Sequence, residues 1–151
     1  MTTLLLLFSL FFTACSSVGV TDPERPAVPA SWTGVDIGSV GVKGETQVDG
    51  TEENVTVLGA GEDIWSTFDS FHMATESMDG DGSIVTYVRE VQEVDAWTKA
   101  GVMMRSELTP GSQNVYIHVT PRSGAVMQVR STDGAETLEP GYDHSLQPPI
   151  W

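Results

Sequence analysis

The segment Trp97-Thr-Lys-Ala-Gly-Val-Met-Met-Arg-Ser-Glu107 decides the fold class of this chain. A dense apolar run follows Ala100-Gly101, and a glycine inside a strand pattern usually marks a bulge or a close approach of two backbones. Strand-like sequences lie on both sides, at 84–94 and 114–120. We therefore predict that residues 100–108 form an inner strand of an antiparallel sheet.

The clearest alternation of the chain lies within 114–120. Val115, Ile117 and Val119 alternate there with more polar residues, which is the period-two pattern of a strand with two different faces. Further short strands are predicted at 32–38, 54–58, 70–75 and 125–131. Glycine-rich turns separate these segments, and no closing strand is predicted after Glu136. Short strands between frequent turns are typical of an all-β sandwich.

The N-terminal region has the features of a secretion signal. Residues 4–12 form an almost unbroken apolar run, and Thr13-Ala14-Cys15 follows it. The run is too short to span a bilayer stably. The segment resembles the lipobox of bacterial lipoproteins, in which the cysteine becomes the lipidated first residue. A plain cleaved secretion signal with an incidental cysteine is the alternative.

The lipoprotein resemblance divides the chain into a signal peptide at 1–14, a lipidated Cys15 with a Pro-rich tether at 15–31, and a β-sandwich domain at 32–151. Serines follow Cys15 in place of an aspartate, and the resemblance then implies export to the outer membrane. The predicted location is the bacterial cell envelope, with membrane contact through the lipid anchor only. Because Cys15 is the only cysteine, no intramolecular disulfide can form.

The charge balance narrows the classes of partner. The chain has 7 Lys and Arg against 21 Asp and Glu, a formal net charge of -14. Nucleic acid is excluded as a partner because its phosphates are bound by Lys and Arg. An anionic membrane surface is disfavoured for the same reason. Calcium and neutral glycans are compatible with the balance, and so is an acidic surface that serves only solubility.

Several short motifs occur in one order along the chain. They are Asp63-Ile-Trp65, Asp69-x-Phe71-His72, Gly80-Asp-Gly82, Trp97-x-Lys99-Ala-Gly-Val-Met103, Arg105 and Thr120-Pro121. Together they resemble the concanavalin A-like domain family called "regulation of enolase protein", a domain of unknown function. The resemblance implies a jelly-roll β-sandwich, often attached to secreted carbohydrate-active bacterial proteins. Family members continue past the position of Trp151, so it also implies a sandwich that is incomplete at its C-terminus.

Catalysis on glycans requires two carboxylates on either side of the scissile bond. Glu93-Val-Asp95 resembles the start of the laminarinase-type Glu-x-Asp-x-Glu strand, but Trp97 and Thr98 stand where the second glutamate is needed. We therefore favour a non-catalytic module over an enzyme. A polysaccharide-acting glycoside hydrolase or lyase is the alternative.

The candidate ligand-binding residues are Trp65, His72, Trp97 and Arg105. Exposed indoles stack on sugar rings, although each tryptophan also fits a hydrophobic core. His72 fits a hydrogen-bonded structural role, and Arg105 fits an ion pair with Glu107. The predicted function is binding of carbohydrate or another extracellular ligand, and a structural accessory domain without ligand is a further alternative. The sequence leaves the oligomeric state open.

A metal site is the last candidate. Asp79 and Asp81 stand at the first two odd positions of an EF-hand-like spacing, but Ile84 occupies the position that requires glycine. An EF-hand is therefore excluded. A looser calcium loop that uses Asp79 and Asp81, or else Glu62 and Asp63, is the cofactor site we consider, beside the simpler interpretation of a tight Asp-Gly turn.

Overall fold

The computed structural model describes residues 32–48 and 54–151, and these residues form β-strands and no helix. None of them belongs to a helix with the length and hydropathy needed to cross a membrane. Cys15 and the tether lie outside the described residues. The strands are β1 (Thr33–Ile37), β2 (Glu45–Val48), β3 (Val55–Leu58), β4 (Ile64–Trp65), β5 (Phe68–Asp69), β6 (Phe71–Thr75), β7 (Ala100–Arg105), β8 (Asn114–Thr120), β9 (Gly124–Arg130) and β10 (Leu138–Asp143).

All strand pairs are antiparallel. The four strands in the order β10-β9-β8-β7 form the main sheet, and three two-stranded ladders join β1 to β6, β2 to β3 and β4 to β5. The prediction of an all-β, antiparallel architecture is confirmed. The alternation in 114–120 correctly located β8, and the predicted strands at 54–58, 70–75 and 125–131 correspond to β3, β6 and β9.

The prediction of a strand at 84–94 is wrong, and with it the inner position of β7. Within the described ranges β7 pairs only with β8, so it is an edge strand. In 84–94 the only ladder contact is an isolated bridge, in which Val88 and Ile150 exchange hydrogen bonds of 2.8 and 3.0 Å. The physical reason lies in the spacing of the valines, which stand every third residue from Val85 to Val94. In a strand every second side chain points to the same face, so residues three apart point to opposite faces. A regular strand therefore cannot bury all four valines on one side.

β10 is a strand that the sequence pattern concealed. It contains Pro140 and Gly141, which are both rare inside strands. The register between β10 and β9 shifts between Leu138 and Gly141, so the ladder contains a bulge there. Because proline has no N–H to donate, a bulged edge strand is a place where a sheet tolerates it.

Two clusters of buried apolar side chains form the core. The first joins β3 and the 88–91 segment to one end of the main sheet, and consists of Val55, Val57, Val88, Val91, Ala100 and Val119. The second joins the β1–β6 ladder and β4 to β8, and consists of Ile37, Ile64, Phe71 and Tyr116. The clusters thus lie against different residues of the same sheet.

The main sheet buries its more polar side. We call the side chains of Asn114, Tyr116, His118, Gln128 and Arg130 the polar face, and all five are buried. Cross-strand partners share one side of a sheet, and the register pairs Asn114 with Arg130 and Tyr116 with Gln128. The interior of this protein therefore contains many hydrogen-bonding groups that need partners.

The opposite side of the main sheet is apolar and faces solvent over much of its area. We call the side chains of Met104, Val115, Ile117, Met127 and Leu138 the apolar face, and they are between 36% and 61% exposed. These side chains are large and lie on all four strands of the sheet. Side chains of this kind are usually buried when they lie together on a sheet.

Candidate functional site

The β4–β5 hairpin presents two aromatic side chains to solvent. Trp65 and Phe68 are paired across it, and they are 42% and 70% exposed. The turn between them has Ser66 at φ 50°, in the left-handed region that tight turns require. The other cross-strand pair, Ile64 with Asp69, is buried. The hairpin thus turns one face to the protein and an aromatic face outward.

A buried ion cluster holds the hairpin in place, and we call Asp69, Arg105, Asn114 and Arg130 the Asp69 cluster. The Asp69 carboxylate accepts two hydrogen bonds from Arg130, of 2.8 and 2.7 Å, and one of 3.2 Å from Arg105. The Asn114 amide donates a fourth at 3.4 Å. The ion pair between Arg130 and Asp69 is bidentate, which is the stronger and geometrically more specific form of such a pair.

Arg130 also fixes the backbone of the hairpin directly. Its Nη2 donates to the carbonyl oxygen of Ser66 at 3.1 Å and to that of Trp65 at 3.5 Å. Its Nε donates to the carbonyl oxygen of Ala135 at 3.1 Å. The position of Trp65 is therefore set by a guanidinium with no solvent exposure.

Lys99 anchors the other end of the hairpin. Its ammonium donates to Asp63 Oδ1 at 2.5 Å and to the carbonyl oxygen of Ile64 at 3.1 Å. It also lies 5.6 Å from the centre of the Trp65 ring, within cation–π range. Trp97 precedes Lys99 by only two residues, so a single short segment carries one indole and contacts the other.

Trp97 is held outward by a hydrogen-bonded turn. The backbone N–H of Trp97 donates to Asp95 Oδ1 at 2.8 Å, and the backbone N–H of Asp95 donates to the Thr98 hydroxyl at 3.1 Å. Thr98 is buried, while Trp97 is 60% exposed. The interpretation of Trp65 and Trp97 as core residues is therefore wrong, and both indoles are available to a ligand.

His72 lies in the interior, where both ring nitrogens are engaged. Nδ1 lies 2.6 Å from Asp36 Oδ1, and Nε2 lies 3.0 Å from Thr46 Oγ1. Burial raises the pKa of Asp36, but the hydrogen bonds from His72 and the Gly44 amide outweigh it and lower that pKa overall. The order carboxylate, imidazole, hydroxyl is also that of a hydrolytic triad.

The enclosure of Thr46 argues for a structural role of this triad-like group. A Cβ added to Gly34 would lie 2.8 Å from Thr46 Oγ1, so the β1 backbone packs directly against the hydroxyl. A nucleophile needs open space for the substrate carbonyl on that side. The Asp36–His72–Thr46 group therefore connects β1, β6 and β2, as the hydrogen-bonded structural interpretation of His72 predicted.

Arg105 is also an interior residue. Besides Asp69, its guanidinium donates to the carbonyl oxygen of Glu107 at 2.7 Å and to that of Thr109. Burial lowers the pKa of Arg105, and nearby Arg130 lowers it further, against the opposite effect of Asp69. The predicted ion pair with Glu107 is wrong. The carboxylate partner is Asp69, while Glu107 contributes its backbone oxygen.

The polar face beneath the hairpin contains three buried atoms without a hydrogen-bond partner, namely Asn114 Oδ1, His118 Nδ1 and Gln128 Oε1. Burial, together with nearby Lys99, lowers the pKa of His118 to about 3, so this imidazole is neutral at physiological pH. Burial likewise raises the pKa of Tyr116. These groups are shielded from solvent and do not form part of the exposed aromatic surface.

Asp79 and Asp81 lie in an exposed loop. Across residues 32–48 and 54–151, no three side chains of His, Cys, Asp or Glu gather where they would hold a metal ion. The calcium loop stays a prediction. Phe68 and Asp69 were not predicted as site residues from the sequence, although both stand within four positions of Trp65.

No family model matches the chain, and no curated protein or solved structure matches it significantly. The resemblance to the "regulation of enolase protein" domain therefore stays a prediction from the motifs.

Proposed function

We propose that this chain is a non-catalytic carbohydrate-binding module, and that its ligand contacts Trp65, Phe68 and Trp97. The observation that carries the proposal is the exposure of these three aromatic rings. Aromatic residues are strongly favoured in interiors because they bury large apolar areas. Here they are kept at the surface by the Asp69 cluster, by Lys99 and by the Asp95 turn, which together supply a rigid support.

The chemistry around the rings suits a neutral sugar polymer. The C–H face of a sugar ring packs on an indole, and nearby polar groups bind its hydroxyl groups. Asp63, with about half of its side chain exposed, and the backbone around Trp65 supply such groups. A polyanionic glycan is disfavoured by the net charge of -14.

The enzyme alternative lacks support from the carboxylates it would need. A glycosidase requires two of them roughly 5 to 10 Å apart. Glu93 forms an ion pair with Arg122, and Asp95 accepts the Trp97 N–H in the turn. Both carboxylates of the laminarinase-like motif thus have partners within the protein, and these contacts account for their positions without a catalytic role.

Replacing Trp65 or Trp97 by Ala should weaken binding to a neutral polysaccharide by about tenfold or more, since 1.4 kcal/mol of lost stacking is tenfold in affinity. Titration calorimetry against soluble β-glucan, xylan and mannan measures the effect, with reducing-sugar release followed in parallel. Trp151→Ala is the matched control, because Trp151 is about as exposed as Trp97 but packs against Tyr87.

Each outcome of that experiment separates the alternatives. Equal affinities of all three variants would show that Trp65 and Trp97 do not contact the ligand and would contradict the proposed binding surface. Steady release of reducing sugar would favour the hydrolase. Absence of binding to every polymer would leave the structural accessory domain as the better account.

We further propose that the antiparallel ladders belong to a jelly-roll sandwich of the concanavalin A type, in agreement with the motif resemblance. The pairing of β1 with β6, five strands later in the chain, supports a non-sequential connection of this kind. A crystal structure with meander connections between facing sheets would contradict it.

The proposed location is the outer membrane of a bacterial envelope, through lipid on Cys15. Several acyl chains anchor a protein stably, while a single chain binds reversibly. Cys15→Ser, expressed with the complete signal sequence, should therefore move the protein from the membrane fraction to the soluble fraction. Immunoblotting of the two fractions measures this. A wild-type protein that is itself soluble after export would contradict the lipid anchor.

A further inference from the structure

The exposed ring of Tyr142 lies on the same side of the main sheet as the β4–β5 hairpin. The register aligns four residues in one row across the sheet, namely Gly101 on β7, His118 on β8, Val126 on β9 and Tyr142 on β10. Because cross-strand partners share one side of a sheet, Tyr142 lies on the side of the polar face, to which His118 belongs. The middle of the row is buried, whereas Tyr142 is 64% exposed at its β10 end.

Trp65 is connected to the opposite edge strand of the sheet by Lys99, which directly precedes β7. The Lys99 ammonium donates to the carbonyl oxygen of Ile64, whose side chain packs with Tyr116 of the polar face. The same ammonium lies 5.6 Å from the centre of the Trp65 ring. Neighbouring strands are about 4.8 Å apart, so the β7 and β10 edges are separated by roughly 14 Å. The two exposed rings therefore lie over the same side of the sheet, one contacted by the residue before β7 and the other on β10.

The hairpin also contacts the residue before β10. The Thr137 N–H donates to the carbonyl oxygen of Ser66 at 2.8 Å. Tyr142 follows Thr137 by five residues, which is roughly 16 Å of extended strand. Both attachments of the hairpin thus lie far from Tyr142, so a ligand that contacts Trp65 and Tyr142 must extend over several sugar rings.

Contacts within the chain orient the Tyr142 ring. The His144 imidazole packs against it, with 4.6 Å between the ring centres and 30° between the ring planes. His144 Nδ1 lies 2.6 Å from the carbonyl oxygen of Ser123, in the turn between β8 and β9. The two rings are thus linked to both the β10 strand and the neighbouring turn. A ring that is already oriented loses less conformational entropy when a ligand packs on it.

We propose that Tyr142 and His144 form a second aromatic subsite for the same neutral polysaccharide, so that one extended sugar chain contacts both the hairpin and Tyr142. This inference rests on the proposed glycan binding. A tyrosine ring offers the apolar surface on which a sugar ring packs, and Nε2 of exposed His144 offers a hydrogen bond to a hydroxyl group. A second contact on one ligand raises the affinity only when the ligand is long enough to reach both positions.

Binding of a short and a long oligosaccharide tests the proposal on the full chain. Hexasaccharides and disaccharides of β-glucan, xylan and mannan are titrated by NMR, which also measures weak affinities. Tyr142→Ala should weaken binding of the hexasaccharide by about tenfold, as expected for one lost stacking contact, and leave binding of the disaccharide at Trp65 unchanged. Tyr142→Phe keeps the ring and should bind both ligands as the wild type does. Trp151→Ala is the matched control, since Trp151 is 65% exposed.

The outcomes separate the subsite from glycan binding itself. Tyr142 is exposed, so its replacement should leave the fold intact, and thermal melting verifies this. Hexasaccharide binding that requires Trp65 but is unchanged in Tyr142→Ala would overturn the subsite and leave the proposed function standing. Equal losses for both oligosaccharides would place Tyr142 and Trp65 on the same sugar rings and overturn the extended path. Absence of binding to every oligosaccharide would contradict the proposed function and the subsite with it.

Discussion

Replacement of Asp69 by Ala should lower the free energy of unfolding by about 3–5 kcal/mol, which is a large part of the stability of a domain of this size. The Asp69 side chain has no solvent exposure, and it is the carboxylate partner of both Arg105 and Arg130. Its removal leaves two guanidiniums in the interior without their counter-charge. Burial of an unpaired charge is far costlier than the pair itself is stabilising.

Asp69→Asn should fall between the wild type and Asp69→Ala. The amide oxygen still accepts a hydrogen bond, but the charge that compensates Arg105 and Arg130 is lost. Asp79→Ala is the matched control, because it removes a carboxylate from an exposed turn and should change stability by no more than about 0.5 kcal/mol.

Urea unfolding followed by tryptophan fluorescence measures the three variants. A loss for Asp69→Ala as small as that for Asp79→Ala would show that the Asp69 cluster does not stabilise the fold. Because Arg130 also binds the backbone of Trp65 and Ser66, a loosened cluster should release the hairpin. Glycan affinity should then decrease in Asp69→Asn even where the protein remains folded.

The alternation of the sequence predicted β8 because a single pattern dominates that strand. It did not show which side of the strand is buried. Apolar burial would place Val115 and Ile117 inside, yet the structure buries Tyr116 and His118. On that side, Asn114 and Arg130 find a partner in Asp69 of the β4–β5 hairpin, and Tyr116 packs in the cluster with Ile37, Ile64 and Phe71. Local sequence contains no information on such distant partners.

The candidate site was predictable in its residue types and not in its construction. Trp65 and Trp97 were found because large aromatics are the usual sugar-stacking groups. Their exposure depends on anchors far away in sequence, such as Arg130, which lies 61 positions from Asp69. His72 and Arg105 were chosen from motifs, and the structure places both among interior hydrogen bonds. Polar residue types alone do not distinguish a ligand site from a buried network.

Gly101, in the β7 strand, should be one of the least replaceable residues of the protein. A Cβ added to Gly101 would lie 1.9 Å from the carbonyl oxygen of Ile117 and 2.5 Å from His118 Cα. A glycine in this strand pattern predicts either a bulge or a close backbone approach, and the unbroken register from Ala100 to Arg105 identifies the close approach. The atoms in the way belong to the backbone of β8 and cannot rotate aside.

Gly101→Ala should therefore lower the free energy of unfolding by about 3 kcal/mol or more, at the upper end of the cost of overpacking, because β7 must move away from β8. Gly141→Ala is the matched control, since a Cβ there meets nothing within 4 Å. The control should be close to neutral, because its backbone angles suit alanine. Urea unfolding gives both values, and amide hydrogen exchange should show weaker protection in β7 and β8 of Gly101→Ala alone. Equal stability of the two variants would mean that the β8 backbone leaves room for a Cβ at position 101, which the 1.9 Å distance from that Cβ to the Ile117 carbonyl oxygen does not allow.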